Sequence, residues 1–359
     1  MEGRQAIVAG ASGLTGAASV RRLQALGWAV TTLSRRAPEG VDPDNHVTVD
    51  LLDPTSCAAA AGRIGKPTHL VYAAVNELPG SRAESWGTPD YAARNGRMFD
   101  NLLGLLPEQG RTLAHISLIH GTKAYAPYRP GYLPVPLRES LPRPDGDDFY
   151  FRQEDSAWRL AAEAGVGWTV LRAQIVVGGG RSSNLNGLLA IAVLAALRRA
   201  AGLNLPLPAA PPAVLEMTDV ELLADAVAWS LTAPGARNQI FNVTNGDVFT
   251  WRDLWPVIAD AIGLPLGEPA PFSVREELAA RSGAWAGLVR QHSLAAPADL
   301  MDYLGESASL ADMALSANRN VVVSTVKIRR AGFDRFVDSA ESVVGWIGRW
   351  RAEGLLPPR

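Results

Sequence analysis

The sequence predicts an α/β fold, a doubly wound parallel sheet with a smaller, mostly helical C-terminal substrate domain. Three observations carry this. Short apolar runs alternate with helical stretches over the first half of the chain, which makes βαβ units. The first run ends in a glycine-spaced turn that opens a helix, "AIVAGASGLTGAA". After about residue 180 the alternation stops, and proline-rich and helical segments take over.

Taken in order, "QAIVAG" reads as the first strand and "LTGAASVRRLQALG" as a helix closed by Gly27. "AVTTLSRR", "HVTVDLLD" and "THLVYAA" read as strands two to four. "RTLAHISLIHG" contains the fifth and "GWTVLRAQIVVG" the sixth. The crossovers between them are expected to be right-handed. "LLAIAVLAAL", residues 188–197, is half the ~20 residues a bilayer span requires, so it reads as a buried helix. Residues 201–219, "AGLNLPLPAAPPAVLEMTD", read as an irregular excursion. "DVELLADAVAWSL" is an amphipathic helix, and "NQIFNVTNGDVFTWRDLWPVIADAIG" a strand, a turn and a helix. From about residue 265 the chain is mostly helical. The domain reading is a dinucleotide-binding domain over 1–180 with 212–250 contributing back to it. Residues 181–211 and 251–359 then form the substrate-binding lid region.

A chain of 359 residues, 47% of them apolar, can bury a large core. The formal charge is −2 and the 34 basic residues are scattered, which argues against nucleic acid or an anionic membrane as partner. Cys57 is the only cysteine, so an internal disulfide and a cysteine-built metal site are excluded. The five histidines have no paired metal-ligand spacing. "MEGRQAIVAG" opens on charge and enters a strand without a signal-peptide apolar region. The expectation is a cytoplasmic protein, monomer or homodimer, acting on a small molecule with no metal. Only three of the basic residues are lysine, Lys66, Lys123 and Lys327, so a lysine here draws attention.

Gly10, Gly13 and Gly16 stand in GxxGxxG spacing between a strand and a helix. The first glycine permits a tight turn, the second lets backbone approach a pyrophosphate, and the third lets helix and strand pack closely. The phosphates then sit on the helix N-terminus, where free N–H groups and the dipole favour an anion. Where an NAD site places an acid at the end of the second strand, this chain has Ser34, Arg35 and Arg36. Guanidinium matches a 2′-phosphate in a charge-assisted, bidentate way, so the expected cofactor is NADPH/NADP+. The expected contacts around the turn also include Ser12, Leu14 and Thr15. Those at later strand ends are Asp50, Leu51, Ala74, Val75, Ser117, Lys123 and Ile175.

Lys123 follows the fifth strand in "HISLIHGTKAY", near where a parallel sheet presents its ligand. Short-chain dehydrogenases place lysine four residues after tyrosine, but no tyrosine here has one. Tyr150 is followed instead by Glu154, and Phe151 by Asp155, in "DFYFRQED". A lysine and a tyrosine from separate segments can share the same work: the ammonium favours the tyrosinate and holds the nicotinamide ribose. The phenol then hydrogen-bonds an oxygen where charge develops.

"GTKAY", "FYFRQED" and "FNVTNGDVFTWRDLW" resemble the progesterone 5β-reductase/iridoid synthase family of atypical short-chain dehydrogenase/reductases, over nearly the whole chain. The resemblance implies an extended Rossmann domain with a helical lid and NADPH-dependent 1,4-reduction of enones and enals. It places the family lysine on Lys123 and the arginine pair on Arg35 and Arg36. It also places the family's catalytic tyrosine at Phe151, with Tyr150 one residue before it, and Val75 where plant members have a tryptophan. Expected substrate contacts are Val75, Tyr125, Tyr128, Tyr150, Asn184, Phe333 and Phe336. Two readings stay open at the tyrosine: Tyr150 supplies the phenol, or the site works without one. Competing functions are a non-catalytic NADP-binding redox sensor and a nucleotide-sugar epimerase or dehydratase.

Overall fold

Apolar residues occupy both parities of the first strand, and this sets how the layers form. Ile7 and Ala9 point to one face of the sheet, Ala6 and Val8 to the other, and all four are at most 2% exposed. A strand buried on both faces belongs inside a parallel sheet covered by helices on either side. The computed structural model has that arrangement, and it describes residues 4–38, 40–77, 88–180, 185–209 and 213–359.

The main sheet comprises β1 (Gln5–Ala9), β2 (Ala29–Ser34), β3 (His46–Thr48), β4 (His69–Tyr72), β5 (His115–Gly121), β6 (Gly167–Ala173) and β7 (Gln239–Val243). Their order is β7-β6-β5-β4-β1-β2-β3, and every pairing is parallel. The order reverses at β1, which places a crevice beyond the carboxyl ends of β1 and β4.

Among the described residues, the connections between these strands carry α1 (Leu14–Ala25), α2 (Pro54–Ala60), α3 (Pro89–Leu105), α4 (Phe149–Ala164), α5 (Gly187–Ala200) and α6 (Val220–Ser230). Helices α3 and α4 cover the Ile7/Ala9 face through Phe99, Leu102, Ala157 and Leu160. Helices α1 and α6 cover the other through Val20, Leu23, Leu223 and Val227.

A third core lies outside the main sheet. Helix α5, buried from Leu188 to Leu197, packs there with α7 (Trp251–Ile262) and with helices of the last hundred residues. Trp255, Trp285 and Trp350 are fully buried in it, and their indole N–H groups donate to the carbonyls of Pro206, Pro297 and Gly179. No helix of the described residues is long and apolar enough to cross a membrane.

One local expectation needs correction. The excursion at 201–219 is not wholly irregular: Leu205–Pro208 pairs in parallel with Leu266–Ala270, a strand in the tail expected to be mostly helical. Thr218–Asp219 pairs with Val176–Val177. Segments of two to five residues rich in proline and glycine carry no readable period, and distant pairing alone makes them strands.

Candidate active site

At the carboxyl ends of the main strands lies a cavity of about 1100 Å³. Its first section is backbone. Gly10 has φ +80°, and a Cβ there would lie 2.7 Å from the backbone of Ala73 and Ala74. A Cβ on Gly16 would lie 2.1 Å from the Gly10 carbonyl oxygen, so α1 can approach β1 this closely only with glycine at that position. Gly13 is the N-cap of α1 and has no side chain to satisfy the first N–H groups. They remain available for an anion. Ser12, Leu14 and Thr15 line the cavity beside them.

Arg35 and Arg36 line the cavity past β2, both exposed, and neither has an ion-pair partner among the described residues. The Ser34 hydroxyl donates to the Arg36 carbonyl at 2.6 Å, which folds the turn that presents them. Asp50, Leu51, Ala74 and Val75 continue the wall from the ends of β3 and β4, and Ile175 from the segment after β6. Ile175 has φ +39°, a strained value for a β-branched residue. An anion-accepting turn and two guanidiniums without an ion-pair partner among the described residues fit a dinucleotide.

The second section is built from side chains. Strand β5 ends at Gly121, and a single 3-10 turn, Thr122–Tyr125, turns Lys123 toward the cavity. Helix α4 starts after Asp148, whose Oδ1 accepts the Tyr150 amide at 3.0 Å. Asp148 Oδ2 meets Lys123 Nζ at 3.0 Å. The rings of Phe149, Tyr150 and Tyr91 lie 4.5, 5.0 and 5.2 Å from that ammonium. Burial pushes Lys123 below its ordinary value, and Asp148 and then Glu77 push it back up. Tyr150 lines the cavity, stacked on His120 with centroids 4.1 Å apart. Gly121 leaves room for its hydroxyl, since a Cβ there would come to 3.2 Å.

Behind these groups is a fully buried polar layer. His120 Nε2 donates to Gln153 Oε1 at 3.0 Å, and burial pushes the ring below its usual value while the Glu154 carboxylate pushes it back up. Asn95 is 0% exposed. Its Oδ1 accepts the Asn76 amide at 2.7 Å and fixes the loop after β4. The acidic pair that stands where lysine was expected faces away from the cavity. Glu154 accepts from Arg172 at 3.0 Å and from Arg143 at 2.8 Å, and Asp155 meets Arg143 at 2.7 Å. Burial by itself raises Glu154, but the His120 ring and the Arg172 guanidinium outweigh it and hold the carboxyl at about 2.

Several expected residues lie elsewhere. Phe151 does not line the cavity, and its ring lies under the Arg143 guanidinium at 4.9 Å. One residue along a helix turns a side chain by about 100°, and with the helix start set by Asp148 the cavity bearing belongs to Tyr150. Ser117 sits mid-strand and is bonded by Ser230 of α6 at 3.0 Å, away from the cavity. Tyr125 is turned inward, its hydroxyl donating to Asn242 Oδ1 at 2.6 Å. Phe333 is buried against Trp229, and Phe336 is 73% exposed outside the cavity. Gly16 is a packing glycine and not a lining one. Tyr128 lines the cavity, and Asn184 lies outside the described residues.

The far wall comes from the segments expected to form the lid, through residues the sequence did not single out: Met301, Tyr303, Leu310, Met313, Ala314 and Val321, with Leu188, Ile191 and Trp251. Arg319 joins it to the loop after β5, donating to the carbonyls of Pro127, Arg129 and Gly131. Asp148 was readable as an N-cap before an aromatic helix. Its pairing with a lysine from another loop was not.

The family model described as "NAD dependent epimerase/dehydratase family" matches residues 6–244. Among curated proteins, the chain is 28% identical to an (S)-8-oxocitronellyl enol synthase of Camptotheca acuminata over 92% of this chain and 86% of that one. It is 25% identical to the 3-oxo-Delta(4,5)-steroid 5-beta-reductase of Arabidopsis thaliana, with the same coverage. Among solved structures, the UDP-glucose 4-epimerase of Thermus thermophilus, complexed with NAD, superposes with TM-score 0.63 at 20% identity, covering 97% of this chain and 99% of that one. RMD of Pseudomonas aeruginosa, complexed with NADPH, gives 0.65 at 17%, with the same coverage. At these identities the superpositions speak for the fold alone.

Proposed function

We propose that this chain, which belongs to the NAD dependent epimerase/dehydratase family, is an NADPH-dependent reductase. It transfers hydride to the C=C of an enone or enal, or to a carbonyl, of a small hydrophobic or steroid-like substrate. The observation that carries this reading is that Lys123 and Tyr150 meet on the same cavity as the glycine turn and the Arg35–Arg36 pair. The similarity to an enol synthase and a steroid reductase supports the substrate class.

A bound nicotinamide supplies the hydride. The chain's residues do the rest. Gly10, Gly13 and the open end of α1 cradle the pyrophosphate, and Arg35 and Arg36 take the 2′-phosphate. Lys123 brings positive charge to the ribose end. The Tyr150 phenol donates to the substrate oxygen as negative charge collects there, which lowers the barrier most for weakly activated substrates. The apolar wall of Met301, Met313, Val321 and Trp251 excludes water and selects an apolar partner. Residues 181–211 and 251–359 act as the lid on this reading.

The test is NADPH oxidation against enones, enals, ketones and nucleotide sugars. Turnover of enones or enals and none of the sugars is expected. A nucleotide-sugar epimerase is the second reading, because the fold is shared with UDP-glucose 4-epimerase. It predicts sugar interconversion without net NADPH consumption, and that outcome would displace the first reading. Tight NADPH binding with no turnover of any substrate would favour the sensor.

A further inference from the structure

Asp148 divides its two carboxylate oxygens between the two groups that the proposed reaction uses. Oδ2 lies 3.0 Å from Lys123 Nζ, and both side chains are 9% exposed. Oδ1 accepts the Tyr150 amide at 3.0 Å as the N-cap of α4. A cap fixes the residue at which a helix begins, and therefore the bearing of every side chain in its first turn. The next position, about 100° round, is Phe151 under Arg143.

We propose that Asp148 is a positioning residue of the site: a single carboxylate aims the Tyr150 phenol at the cavity and keeps the Lys123 ammonium charged and in place. The effect on turnover rests on the proposed function. The effect on Lys123 rests on geometry alone.

Lys123 needs such a partner because its surroundings are mostly rings. The faces of Tyr91, Phe149 and Tyr150 attract a cation, but they replace only part of the hydration lost on burial. Among the described residues, other titratable groups also face the pair. Glu77, from the loop after β4, accepts from the Tyr91 hydroxyl at 3.1 Å and acts on Lys123 more weakly than Asp148 does. Tyr128, from the loop after β5, is raised by burial and then by Asp148, with Arg129 opposing. Tyr91 and Tyr150 face Lys123 as well.

The experiment uses Asp148→Asn, which keeps an N-cap acceptor and removes the charge, beside Asp148→Ala, which removes both. Asp148→Ser, a second uncharged cap, replaces the asparagine variant if that one does not fold. With only three lysines in the chain, lysine labelled with carbon-13 at Cε gives three signals, and Lys123→Met identifies one of them. In Asp148→Asn the Lys123 signal is expected to titrate lower by about one pH unit or more. The basic limb of the turnover profile should move acidward with it, because activity then loses the charged lysine sooner as pH rises. Lys66 and Lys327 should not respond. An unchanged Lys123 titration in Asp148→Asn overturns the inference and leaves Asp148 a helix cap. A shifted Lys123 signal, in a protein where Lys123→Met turns over as fast as the parent, upholds the pairing and counts against the proposed reaction instead.

Discussion

At one end of the cavity the chain offers backbone: Gly10, Gly13 and the first N–H groups of α1, all within one strand–turn–helix segment. At the other end it offers side chains drawn from four separate segments: Glu77, Tyr91, Lys123, and Asp148 with Tyr150. Backbone recognition tolerates few substitutions, because a Cβ at Gly10 or Gly16 has nowhere to go. Side-chain recognition tolerates relocation, since on the proposed function the requirement is that charge and phenol meet, whichever segments they come from. On the proposed function, a lysine supplied by one loop and a tyrosine by a separate helix do the work that a lysine four residues after a tyrosine does from one helix face.

Lys123→Met is the largest test of that division. Turnover should fall by about a hundredfold or more, while NADPH affinity changes little. Steady-state rates beside a cofactor titration measure both, and an equal loss in the two would mean that the ends are not separable.

The next test concerns the strap that carries Val321 to the cavity. Glu216, 4% exposed, accepts the Val323 amide at 2.5 Å and the Thr244 hydroxyl at 2.9 Å. Burial raises its carboxyl from 4.5 to about 7, with those two bonds opposing. A folded value above the unfolded one gives stability that is full below about pH 4.5 and is lost as pH rises through about 7. The swing is on the order of 3 kcal/mol. Glu216→Gln should flatten the decline in thermal stability over that window, and a variant that still declines as the parent does would assign the effect elsewhere.

Replacing Arg35 and Arg36 by alanine tests the phosphate end. Preference for NADPH over NADH should drop by about 1.5 kcal/mol for each charge-assisted bond lost, the low end of the range because both residues are exposed. Dissociation constants for the two cofactors decide it, and equal affinities in the parent protein would refute NADP selectivity.

The smallest effects are expected at the aromatic pair. Tyr150→Phe should slow weakly activated enones and ketones by about tenfold and strongly activated enals less. Phe151→Tyr should stay within about 0.5 kcal/mol in stability and leave turnover unchanged, because a hydroxyl under Arg143 does not reach the cavity. A marked gain in rate from Phe151→Tyr would mean that the helix start shifts when substrate binds.

What was legible in the sequence was local. The strand–glycine–helix turn, the arginines after β2, the both-sided burial of β1 and the lysine after β5 each depend on neighbours a few positions away, and hydrophobic period or turn chemistry reports them directly. Ser117 shows where that ends: it lies on a correctly read strand, but side chains of a strand stand perpendicular to the sheet, so it meets α6 and only the strand's end reaches the cavity. Tyr125 likewise sits in the same short turn as Lys123 and points the opposite way, into Asn242.

By itself, then, the sequence determined the layer order, the dinucleotide turn and the positions of the charges, because short-range sterics and periodic burial decide those. Only the tertiary structure decided which aromatic of "FYF" faces the cavity, that Glu154 and Asp155 belong to arginines behind it, and that methionines from the last sixty residues close its far side. The physical reason is helix phase and long-range packing. A cap bonded by one residue sets the direction of the next several, and a wall assembled from distant segments leaves no period in any of them.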